Sequence, residues 1–187
     1  MGDLSVLDHA KREQFNRNIG QYIGLVFGSG WVPVPGASTV TEMAAERELA
    51  CYGFGAFIPE AEAPVREAIL RFFKRKRFAL KSLELIPFAG AVISILHIYG
   101  KGQFIMEVAA ASHGDQDFFG DALDANLAAL WTTFEPRLWD SEELLDYYTA
   151  TTGLAVSSEV AGTFTSTLVT IEEKYRHAVK TIPGFET

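Results

Sequence analysis

Two stretches hold residue types able to do chemistry. In "HIYGKGQFIMEV", His97, Tyr99, Gln103 and Glu107 stand inside an apolar run, and in "ASHGDQDFFGD", His113, Asp115 and Asp117 crowd a short polar one. An imidazole beside a carboxylate can move a proton near neutral pH, with the carboxylate orienting the ring and a phenol close by. His97, Glu107 and Tyr99 are therefore the candidate catalytic residues. One imidazole and two carboxylates at short spacing can also hold a divalent ion, which makes His113, Asp115 and Asp117 the candidate metal set. That loop lacks the fifth ligand position and terminal glutamate of an EF-hand, and an aspartate ahead of a helix has an ordinary duty as N-cap.

A third constellation is basic. "RFFKRKRF" supplies Arg71, Lys74, Arg75, Lys76 and Arg77, which with Trp131 and Trp139 are candidate ligand-binding residues. Cations near a helix C-terminus also suit the macrodipole with no ligand at all. The net charge of −8 conceals an asymmetry. Arg66 to Lys81 carries seven bases and one acid, whereas Gln103 to Glu173 carries 13 acids and one base, Arg137. Such a chain is dipolar if the two segments occupy different faces, and its overall acidity makes it a poor nucleic-acid binder.

Several familiar chemistries find no motif. "NIGQYIGLVFGSGW" has no Gly-Lys-Ser/Thr ending for a P-loop, and Pro33 stands where a dinucleotide fingerprint needs its third glycine. The serine-hydrolase elbow G-x-S-x-G is absent. Cys51 is the single cysteine, so neither an internal disulfide nor a multi-cysteine zinc site can form, and it reads as a buried, inert thiol. No cofactor is expected.

The elements that must position these residues follow from periodicity. Apolar residues from Leu4 to Phe27 recur at helical spacing, and Gly20, Gly24 and Gly28 would then line one stripe where another backbone can come close, within the fold or across a dimer. A strand over "QYIGLVF" is the alternative. "STVTEMAAERELACYGFG" reads as a helix with a Thr39–Glu42 capping box and a stop at Gly53. A third helix starts at Pro64 and buries Val65, Ile69, Phe72 and Phe73.

"AVISILHIY" and "QFIMEVAAA" then read as two strands about the turn Gly100 to Gly102, placing His97, Tyr99, Gln103 and Glu107 on one mixed face. "FALKSLELI" could add a third strand. Three further helices are expected: one from the Asp115–Asp117 loop to Pro136, one from Asp140 or Ser141 to Gly153, and one along Phe164, Leu168, Ile171 and Tyr175. The expected architecture is α+β: residues 1–187 as a single domain, about six helices around a central antiparallel β-hairpin or three-stranded meander.

A charged start with no apolar run behind it gives no secretory signal, and Val6 stands where a myristoylation signal needs a hydroxyl. From Ile19 to Val34 the apolar run is too short and too interrupted for a transmembrane segment. With a lone cysteine, a cytoplasmic setting is expected.

The leading expectation is a non-catalytic adaptor or toxin-neutralising type of protein that binds another protein through an acidic, aromatic-rich surface. Homodimerisation through the glycine-lined or dipolar surface is a further expectation. The alternatives are a small-molecule pocket or enzyme built on His97 and Glu107, and a metal site at His113, Asp115 and Asp117.

Overall fold

The computed structural model describes residues 3–29, 39–81, 83, 88–115 and 117–181. After a single 3-10 turn, Leu4–Val6, seven α-helices follow among these residues: α1 His9–Ser29, α2 Thr39–Phe57, α3 Ala63–Lys81, α4 Ala89–Ser112, α5 Leu123–Leu138, α6 Ser141–Thr152 and α7 Ser158–Thr181. No strand occurs among them. The α+β expectation is thus overturned: the described residues are all-helical, and the segment read as a β-hairpin is the single helix α4.

The reason lies in burial. From Val92 to Ala110 every residue of α4 is buried, so the helix has no polar face to betray its period. A fully buried helix and a fully buried strand look alike in hydrophobic pattern, and the β-branched Val92, Ile93, Ile95 and Ile98 tilt the reading towards strand. Gly100 and Gly102 are not a turn. A methyl on Gly102 would collide with Ile19 of α1, and one on Gly100 would stand 3.1 Å from Leu138 of α5. They are the notches through which two neighbours reach the central helix. The first four residues of "FALKSLELI" continue α3 rather than forming a strand; Ser82 and residues 84–87 lie outside the described residues.

Around α4 the other helices form a shell, each contributing one apolar stripe. Phe15, Ile19, Ile23 and Val26 come from α1, Ile69, Phe72 and Phe73 from α3, and Phe164, Leu168, Ile171 and Tyr175 from α7. The helical reading of α1 holds, and two of its three glycines, Gly20 and Gly24, serve packing within the fold. Gly20 meets Thr151 and Thr152 of α6, and a methyl on Gly24 would lie 3.3 Å from Tyr148; Gly28 has nothing within 4 Å. Asp8 caps α1, accepting from the Lys11 N–H at 2.8 Å.

Other boundaries shift for similar reasons. α2 runs past Gly53, where a side chain would press Ile105 and Phe15 at 2.9 and 3.0 Å, so this glycine too marks a close approach and not a stop. α5 runs through Pro136 to Leu138, the ring falling in the last turn. At α6 the sequence is followed closely: Asp140 accepts from the Glu142 and Glu143 N–H groups, both at 3.0 Å, and Gly153 closes the helix at φ 71°.

Candidate functional site: two polar seams on the central helix

Burying a charge in an apolar core is costly unless it is paired and hydrogen-bonded. α4 nonetheless carries His97, Lys101 and Glu107, with Ser94, Tyr99 and Gln103. Helical geometry sorts these into two stripes, one facing α2 and the other facing α1, α5 and α6.

On the first stripe, Glu42 is the hub. Ser94 Oγ donates to its Oε2 at 2.8 Å, and His97 Nδ1 lies 3.0 Å from its Oε1. One turn along both helices, Lys101 Nζ is 3.5 Å from Glu46 Oε2. Glu42 therefore turns into the core; the Thr39 side chain, its expected capping-box partner, lies outside the described residues. A buried carboxylate on Nδ1 fixes the orientation of the imidazole. His97 also borders a cavity of about 20 Å3 with Trp131, Trp139 and Tyr175. That is room for about one water molecule, far below the roughly 300 Å3 of a small-ligand site.

On the second stripe, Arg137 of α5 is the hub. Its Nη1 is 3.2 Å from Glu107 Oε1, while Nε and Nη2 reach Glu143 Oε1 at 3.0 and 2.5 Å. Tyr99 donates to the same Glu143 oxygen at 2.9 Å and meets the Tyr147 ring edge-on, centroids 4.9 Å apart. Tyr147 Oη and Gln103 Nε2 both reach Asn16 Oδ1 on α1, at 3.0 and 3.3 Å. Burial, reinforced by the Glu143 charge, raises the Tyr99 phenol well above its ordinary range, and burial does the same to Tyr147. For Arg137, burial opposes the charge, but Glu143, Tyr99 and Glu107 outweigh it and hold the guanidinium above its usual value.

The candidate catalytic set is thereby divided. Ten residues of helix put His97 and Glu107 about 15 Å apart along the axis. His97 faces Glu42, Glu107 faces Arg137, and Tyr99 sits with Glu107's partners. The pairing on a common sheet face disappears with the sheet.

His113, Asp115 and Asp117 are all exposed, and among the described residues no three potential ligands group together to hold a metal. Asp115 accepts from the Asp117 N–H at 3.0 Å in a local turn. Neither aspartate caps α5, whose N-cap is Ala122.

Of the basic run, Arg71, Lys74 and Arg75 are exposed; Arg71 meets Glu67 at 3.3 Å and Arg75 meets Asp124 of α5 at 3.7 Å. Lys76 lies over the Phe72 ring at 5.6 Å, and the Arg77 side chain is outside the described residues. Trp131 is buried among Phe72, Phe73, Phe104 and Phe134, and Trp139 packs on Tyr175 at 5.1 Å. Trp131 is a core residue, and Trp139 is partly buried against the core. Cys51, read as buried, is exposed.

Sequence reasoning missed Glu42, Glu46, Arg137, Glu143 and Asn16. The signal was present in α4: ionisable residues inside an apolar run require counter-charges from other helices, and Glu42 and Glu46 stand one helical turn apart.

Among the described residues no helix is long and apolar enough to cross a membrane. No protein-family model, curated protein or solved structure matches the chain.

Proposed function

We propose that the chain is a binding protein that engages a basic protein partner through the acidic surface of α5 and α6. The observation behind this reading is the fate of Arg137. It is the only lysine or arginine between Gln103 and Glu173, and it is drawn inward onto Glu107 and Glu143. Asp121, Asp124, Asp140, Glu142 and Asp146 stay exposed, and among the described residues only Arg75 reaches one of them from another helix, Asp124. An uncompensated acidic surface steers oppositely charged partners and sets the salt dependence of binding. The aromatic part of the expected surface is dropped, because no aromatic side chain among the described residues is exposed. A reducing cytosol, where the exposed Cys51 stays a thiol, suits this role.

The test is affinity capture at low ionic strength, with quantitative recovery of a partner that is lost both at high salt and with the E142Q/D146N double variant. Both side chains are exposed, so the variant keeps its fold. Recovery unchanged by salt and by the double variant would refute the reading. Analytical ultracentrifugation distinguishes a second copy of the chain, presenting its basic α3, from a different partner.

A further inference from the structure

A groove of about 430 Å3 runs between α2 and α3, within the size range of small-molecule sites. Leu70 and Phe73 give it an apolar wall. Among the described residues three cations border it, Arg47, Lys74 and Lys101, against one acid, Glu46. Arg47 and Lys74 are exposed, and neither has an ion-pair partner among the described residues. Lys101 comes from the central helix. Its side chain is 11% exposed, with the ammonium 3.5 Å from Glu46 and 6.0 Å from the centre of the Phe73 ring.

Glu46 pairs with Lys101, which leaves Arg47 and Lys74 without an ion-pair partner among the described residues on a concave, partly apolar surface. Like charges there repel, and low-dielectric walls focus their field on anything that enters. A ligand with one anionic group supplies the missing counter-charge, and an apolar body covers Leu70 and Phe73. We propose that this groove binds a small amphiphilic carboxylate, its head between Lys101, Lys74 and Arg47 and its chain along the Leu70–Phe73 wall. This site is independent of the acidic surface on α5 and α6.

Cys51, the only cysteine of the chain, is exposed at the same groove and reports occupancy. The experiment measures the rate of Cys51 alkylation by uncharged iodoacetamide during titration with sodium octanoate. Octanoate is expected to slow alkylation saturably, whereas 1-octanol and inorganic phosphate do not. K74M and K101M should each weaken the protection about tenfold, the loss of one charge-assisted contact.

Equal protection by octanol makes the groove merely apolar, and equal protection by phosphate makes it a simple anion site. Either result, or no protection by octanoate, overturns the proposal. Should circular dichroism show K101M unfolded, R47M/K74M replaces it. Both of those side chains are exposed, so unchanged protection in that variant overturns the proposal equally.

Discussion

Glu42 and His97 meet across the α2–α4 interface, carboxylate Oε1 3.0 Å from imidazole Nδ1, with side chains only 5% and 2% exposed. The same carboxylate accepts from Ser94, so a single residue of α2 anchors two residues of the central helix. Removing one partner of such a buried pair strands the other in an apolar core. E42A is expected to lose about 3–5 kcal/mol of stability, against a smaller loss for E42Q, which keeps an acceptor for Ser94. Urea denaturation of the variants measures this; an E42A midpoint equal to wild type would show that the pair carries no stability.

Arg137 is the counterpart on the second stripe. R137M leaves Glu107, 2% exposed, without its guanidinium, and is expected to cost about 3–5 kcal/mol. R137K recovers only part of this, because an ammonium cannot span both Glu107 and Glu143 as the guanidinium fork does. The comparison is again a pair of denaturation midpoints, with a lysine variant as stable as wild type as the contrary result.

The glycines can be separated by one substitution each. Gly102→Ala drives a methyl into Ile19 and is expected to destabilise by about 1–3 kcal/mol despite alanine's better helix propensity. Gly162, on α7 with nothing within 4 Å of an added methyl, should gain up to about 1 kcal/mol from the same change. Melting temperatures moving in the same direction for both would contradict the packing described.

Alkaline titration probes the buried phenols. The Tyr22 phenol is pushed up to about 12 by burial and by its hydrogen bond to Glu48, and Tyr99, Tyr147 and Tyr175 are also raised above 10.0. Above pH 10.0 the unfolded chain loses phenolic protons that the folded chain retains. The stabilisation is thus whole below that pH and falls as pH rises through the folded values. Absorbance near 295 nm should show these tyrosines ionising together with unfolding. Independent ionisation of all of them near the ordinary value, with native circular dichroism, would contradict the burial.

The outer helices were largely legible in the sequence because each is half in water. α6 announces itself by Asp140 and Gly153, α7 by Phe164, Leu168, Ile171 and Tyr175, and α3 by Pro64 and its phenylalanines. α4 was not legible, for the same reason that it is central: a helix wrapped on every side needs no polar face, so period and class are both hidden. The error carried to the site. Read as strands, His97 and Glu107 share a face; read as a helix, they belong to different neighbours. What could be read was the demand for partners, since His97, Lys101 and Glu107 cannot stand alone in such a run. Which helices answer that demand depends on tertiary placement that no local pattern encodes.

A ribosome completes α4 at Ser112 while α5, α6 and α7 are still unmade. At about 5–20 residues per second, the nascent chain waits roughly 4 to 14 seconds before the last of these helices is synthesised. Until they are made, α4 can pack against α1, α2 and α3, but the faces that α5 and α7 cover have no partner within the chain. Transiently exposed apolar surface of that kind is prone to aggregate, so the half-made chain is more vulnerable than the finished one.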